Sequence, residues 1–193
     1  MARQNKIELN RRQALIAGAA AAAGWLLDVE WVQEAHAQAQ RFESHSQYRL
    51  ADTLADIVIP ATDTPGASAA KVGGFLLFAL ERGMSGLSMA LLERVQAALD
   101  NSAGADFLAQ SAEKRVALLA DFDRQSYTAD QPGSISPQHA WRRIKGVIVA
   151  GYYTSEIGAS QELVFEPVPG QFTTITLTPE YRSRSNEVQG GVL

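Results

Sequence analysis

Five stretches of the chain place apolar residues at the three-to-four-residue spacing of an amphipathic helix. Ser46–Ile59 does so through Tyr48 or Leu50, Leu54, Ile57 and Val58, and Ala69–Arg82 through Val72, Phe75, Leu76, Ala79 and Leu80. Leu87–Leu99 follows with Leu91, Leu92, Val95 and Leu99, then Ala112–Tyr127 with Val116, Leu119 and Phe122, the last followed by the charged Asp123. The fifth, Pro137–Gly158, repeats at Trp141, Ile144, Ile148 and Tyr152 and has almost no polar face between Gly146 and Tyr153. Such a helix is normally wrapped on all sides, so the pattern predicts a central helix here. Ser136 is placed as its N-cap, and Pro137 sits at the first helical position, where its missing N–H costs nothing. Gly146 and Gly151 each cost roughly 1 kcal/mol of helix propensity, which predicts close approach of another backbone. Gly158 is expected to end the helix as a left-handed cap.

The segments between these helices have their own chemistry. Pro60 closes the first helix, and Pro60–Ala67 (PATDTPGA) reads as an ordered loop in which Thr62 and Asp63 bond nearby backbone and Pro65-Gly66 turns tightly. Gly73-Gly74 lacks the spacing of a phosphate loop and no strand precedes it, so it reads as a helix packing point. Gly83–Ser88, Asn101–Ala105 and Thr128–Ile135 interrupt the helices, with Phe107-Leu108 docking one connection. After Gly158 three prolines and one short alternation, Thr174–Leu177, predict an extended arm from residue 163, ending in a polar tail to residue 193. A strand that short is not stable alone, so the arm is expected to be pinned across this domain or another chain. The predicted fold is all-α, an irregular bundle of about five helices with a central C-terminal helix and an extended C-terminal arm.

The first 37 residues follow a different rule. Arg3, Lys6, Arg11 and Arg12 precede an alanine-rich apolar run, Ala14–Leu27, and Ala35-His36-Ala37 offers an A-x-A cleavage site that would leave Gln38 first. As a helix the run reaches about 21 Å, short of the roughly 30 Å hydrocarbon core, with Asp28 and Glu30 close behind. That length weighs against the alternative of an uncleaved membrane anchor. The paired Arg11-Arg12 and the modest hydrophobicity of the run favour a twin-arginine (Tat) leader. Residues 1–37 are therefore expected to be a signal peptide and residues 38–193 a single helical domain in the periplasm. The Tat route carries folded cargo, commonly because a cofactor has already been inserted.

Composition then narrows what that cargo can be. The charge balance, 17 Lys+Arg against 21 Asp+Glu, does not supply the clustered basic excess of a nucleic-acid binder. With no cysteine, a disulfide framework, a cysteine zinc site, an iron–sulfur cluster and a C-x-x-C-H haem are all excluded. His45 and His139 stand far apart and at no metal-ligand spacing. There is no G-x-S-x-G elbow and no G-x-G-x-x-G between a strand and a helix. Asp52 and Asp56, one turn apart, read as a solvated face. Glu156, flanked by Tyr153, Ser155 and Ile157, is the best lone candidate acid, with anchoring of a neighbour the competing reading. Arg142, Arg143 and Lys145 form a short basic patch. No catalytic, cofactor-binding or metal residue is assigned, and the redox group that the export route suggests is placed in another chain.

Three ordered segments, IVIPATDTPGA (Ile57–Ala67), GYYTSEIGA (Gly151–Ala159) and EPVPGQF (Glu166–Phe172), resemble the gluconate 2-dehydrogenase subunit 3 family. The resemblance runs from about Tyr48 to Phe172. It implies a non-catalytic small subunit of a periplasmic dehydrogenase acting on sugars, sugar acids or polyols such as gluconate. It further implies a large FAD-binding partner of the glucose–methanol–choline type and, in many members, a multihaem cytochrome c carrying haem c. In that setting the small subunit supplies the Tat leader, meets the Tat translocon through Arg11 and Arg12, and steadies the catalytic subunit, with the membrane reached through the leader or the complex. The residues matching the motifs are Pro60, Thr62, Pro65 and Gly66, then Gly151, Tyr152, Ser155, Glu156 and Gly158, and finally Pro167, Pro169 and Gly170. The export signal is Arg11, Arg12, Ala35 and Ala37. Two other readings stay open: a self-standing exported enzyme using Glu156 with Asp63 or another carboxylate, and a periplasmic assembly or binding module unconnected with redox chemistry.

Overall fold

The computed structural model describes residues 31–128, 136–165, 174, 178 and 181–185. Residues 31–38 form α1, followed by α2 (Tyr48–Val58), α3 (Val72–Arg82), α4 (Met89–Ala103), α5 (Ala112–Thr128) and α6 (Pro137–Tyr153). Tight 3-10 turns cover Ala39–Ser44, Met84–Gly86 and Phe107–Ala109, and a π-helical turn covers Gly158–Glu162. Two-residue strands β1 (Val164–Phe165) and β2 (Arg184–Ser185) pair in parallel. The fold is all-α, as the periodicity predicts, and the five predicted helices are α2 to α6.

The helix wrapped on all sides is α3, not α6. Every residue from Val72 to Leu80 is buried. The stripe read from the sequence omitted Leu77 and Phe78, which face α3's other side and are 0% and 4% exposed. A helix apolar all round is a buried helix, and VGGFLLFAL satisfies that rule more fully than the stretch after Gly146. Fully burying each large apolar side chain contributes roughly 1.5–3 kcal/mol, so α3 is the apolar axis of the molecule. It packs against α2, α4, α6 and the 3-10 turn at Ala39–Ser44. Two glycines make those approaches possible. A Cβ on Gly73 would stand 2.9 Å from the Asp52 backbone, and one on Gly74 would be driven into the Ala39 carbonyl.

α6 lies across the bundle and touches α2, α3, α4 and α5, but one side of it stays open, with Val149 37% and Tyr153 40% exposed. Its start matches the sequence reading, since Ser136 Oγ accepts from the His139 N–H at 3.1 Å and Pro137 occupies the first turn. Its end does not. The helix stops at Tyr153, and Gly158 lies outside the left-handed region, which among the described glycines is used by Gly83, Gly86 and Gly104. Gly146 meets nothing within 4 Å, so the expected backbone approach is absent there. At Gly151 the close neighbour is the Phe75 ring, 2.6 Å from where a Cβ would stand.

Further departures have local causes. Val116 is 49% exposed, because α5 turns Leu119 and Phe122 inward instead. α4 runs on to Ala103 and ends at the left-handed Gly104. Asp52 is half-buried rather than solvated and accepts from Ser68 Oγ at 3.0 Å; burial pushes its carboxyl above the usual range. The basic patch is divided: Lys145 Nζ donates to Asp123 at 2.8 Å, beside Trp141 Nε1 at 2.7 Å, whereas Arg143 Nη1 donates to the Gly86 carbonyl at 3.2 Å. Residues 31–37, expected to lie outside the domain, are packed on it, with Ala35 0% exposed.

Candidate functional site

Two of the three family-like segments, nearly ninety residues apart in sequence, meet at one end of the bundle. The loop after α2 is closed by the Ala67 N–H donating to the Ile59 carbonyl at 2.9 Å, with a smaller turn inside it from Thr62 N–H to Thr64 O at 3.0 Å. Gly66 allows the closure. A Cβ there would lie 2.5 Å from Ala61 N and 2.7 Å from Pro60 C, both backbone atoms that cannot step aside. The buried Tyr152 on α6 reaches this loop and donates its phenolic hydrogen to the Pro65 carbonyl at 2.7 Å. Burial pushes the phenol's pKa up, so it stays protonated and remains a donor. From the same loop, Thr64 Oγ1 donates to Glu162 on the π-helical turn.

Serine chemistry explains why α6 ends before Gly158. Ser155 Oγ donates back to the Tyr152 carbonyl at 2.6 Å and accepts from the Gly158 N–H at 3.0 Å. A local hydroxyl thereby replaces the continuing backbone ladder, which is how serine competes with helix. The chain turns so tightly that Gly158 lies on the end of α6, where a Cβ would be 2.7 Å from the Tyr152 carbonyl carbon. Gly158 is thus required by contact, not by a left-handed backbone.

The motif residues divide by exposure. Gly66, Gly151, Tyr152, Ser155 and Gly158 are buried and shape this chain itself. Pro60, Thr62 and Glu156 face solvent, with Pro65 half-buried between the two groups. Arg11, Arg12, Pro167, Pro169 and Gly170 lie outside the described residues. Ala35 is buried in α1 and Ala37 is exposed on it.

Beside this junction is an open cleft of about 490 Å³, lined by Asp63, Tyr153, Glu162, Leu163, Tyr181, Arg182 and Ser183. Arg182 crosses it, donating from Nη1 to the Gln161 carbonyl at 2.7 Å and lying 3.5 Å from Asp63 Oδ2. The cleft is polar and its carboxylates are engaged: Asp63 with Arg182, and Glu162 with Thr64. Sequence reasoning missed Thr64, Glu162, Tyr181 and Arg182, since no periodicity links residues so far apart. Glu156 stands in solvent, and Asp63, itself exposed, lies beside Arg182. Among the described residues no three His, Cys, Asp or Glu side chains come together to hold a metal. His45 Nε2 lies 3.5 Å from Glu81, a surface pairing.

Replacing Tyr152 with phenylalanine keeps the packing but leaves the Pro65 carbonyl without its donor. The expected loss is about 1–3 kcal/mol, the range for orphaning a partly buried polar group. Urea melts of the two purified chains read it as a lower midpoint at unchanged slope. An unchanged midpoint would mean that the phenol does not hold the loop.

No curated protein sequence and no solved structure gives a significant match to the chain. The family described as Gluconate 2-dehydrogenase subunit 3 matches residues 45–170, a span that contains both halves of the Tyr152–Pro65 junction and well over half of the chain. The chain belongs to the gluconate 2-dehydrogenase subunit 3 family.

Proposed function

We propose that this chain is the non-catalytic small subunit of a periplasmic FAD-dependent dehydrogenase of sugars, sugar acids or polyols, exporting and steadying its catalytic partner. The observation that carries the reading is membership of the subunit 3 family, which ties the chain to the other subunits of a dehydrogenase complex. The Arg11-Arg12 leader supports it, because a folded-cargo signal on one chain can export a partner bound to it. The described residues do not fit a dinucleotide cradle, which needs a strand running into a helix through a glycine turn, whereas β1 and β2 are two residues each. FAD is therefore assigned to the large subunit of the glucose–methanol–choline type and haem c to a cytochrome subunit. Among the described motif residues, Pro60, Thr62 and Glu156 are the exposed ones, placed to meet the large subunit.

The test is genetic and quantitative. Arg11→Lys combined with Arg12→Lys leaves the charge but removes the paired guanidinium groups that the translocon reads. Dehydrogenase activity in the periplasm is expected to fall by about an order of magnitude or more, with both chains accumulating in the cytoplasm. Undiminished periplasmic activity, either in this variant or after deleting the chain, would sink the escort role.

A further inference from the structure

Removal of an A-x-A leader depends on geometry as well as sequence. A signal peptidase reads the two alanines as small side chains, and residues two apart share a face only when the backbone is extended. In α1 they point to different sides: Ala35 is fully buried and Ala37 is exposed. Presenting the site would require unwinding α1, and α1 is anchored along its length. The Trp31 and His36 rings lie 5.5 Å and 4.6 Å from the Phe75 ring. Arg82 donates to Glu34, as does Gln38 Nε2 at 2.9 Å. The Thr154 hydroxyl gives its hydrogen to Ala150 O at 2.7 Å, so His36 Nε2 must be the donor in its own 3.0 Å bond to Thr154 Oγ1. Burial holds the His36 pKa down at about 4, which keeps the ring neutral and inside. Just past the site, the Ala39 backbone is seated against Gly74.

We infer that Ala37–Gln38 is not cut once the subunit has folded, and that residues 31–37 remain in the mature protein as its first helix. The inference rests on the twin-arginine reading for the order of events, in which folding precedes export and the peptidase meets the docked helix. Loss of α1 would uncover Phe75, the residue on which α3, α6 and α1 converge.

The experiment treats three substrates with purified signal peptidase in detergent micelles: the folded full-length chain, the same chain in urea, and a synthetic peptide of residues 25–45. The peptide and the unfolded chain are expected to be cut after Ala37, and the folded chain at least about tenfold more slowly, since proteolysis tracks the opened fraction. N-terminal sequencing of the exported subunit is expected to start at or before Trp31. Cleavage of the folded chain at the peptide's rate overturns the inference, as does an exported chain beginning at Gln38. A resistant peptide also overturns it, because burial would then not be what protects the site. The escort reading fails on a different result, unaltered export of the flavin subunit without this chain, so the two failures are distinguishable.

Discussion

Gly158→Ala is expected to lower the melting temperature of the free subunit by about 6–12 °C, the shift that about 3 kcal/mol produces in a chain of this size. The added methyl meets the end of α6, with the Tyr152 carbonyl carbon 2.7 Å away and Tyr153 Cα 3.1 Å away. Those atoms are backbone, fixed from one side by Ser155 Oγ and from the other by the Tyr152–Pro65 hydrogen bond. Relief must therefore come from opening the turn, which separates Gly158 N–H from Ser155 Oγ and pulls Glu162 from Thr64. Gly146→Ala is the matched control with the opposite sign. Nothing lies within 4 Å of its added methyl, and alanine favours the helix by up to about 1 kcal/mol. Its melting temperature should rise by about 1–3 °C. Calorimetry of both variants decides the matter. If Gly158→Ala melts with the parent, Gly158 is not required by this contact.

These two glycines show what could be read in the chain and what could not. In the sequence Gly146 reads as a helix cost repaid by close packing, and Gly158 as a left-handed cap. The structure reverses each assignment, because a glycine's reason lies in its spatial neighbours, which sequence spacing does not give. Helical content is different. It follows from local period and from caps such as Ser136-Pro137, so five helices were legible and their ends moved by a few residues. α3 was undervalued for a related reason: a one-sided stripe was sought in VGGFLLFAL, where the absence of any polar residue was the stronger signal. At the junction the sequence marked Pro65 and Tyr152 as motif members. It could not show that one donates to the other across 87 positions, nor that Thr64 and Glu162 join them. At the edge of the leader the A-x-A pattern is also a helix-forming pattern, and residues 31–38 are helical. Ala35 and Ala39 are small enough to seat a helix directly against the core.

Phe75→Ala is expected to cost about 3–5 kcal/mol, the range for emptying an aromatic site in a well-packed core. Phe75 is fully buried, and its ring touches elements from three parts of the chain: Trp31 and His36 on α1, its own helix α3, and Gly151 on α6. The loss alone would not distinguish this contact set from generic burial, but its coupling to Gly151 would. In the parent, Gly151→Ala places a methyl 2.6 Å from Phe75 Cδ1, on a buried ring that also packs against the Trp31 and His36 rings. That substitution should therefore destabilise by about 1–3 kcal/mol. In the Phe75→Ala background the same methyl enters vacated space and contributes alanine's helix preference, so its effect should change sign. The double-mutant cycle should report a coupling of about 2–4 kcal/mol between residues on different helices, the parent's loss plus alanine's gain. Additive losses would mean that the ring does not press on α6, and that α1, α3 and α6 are joined by something other than Phe75.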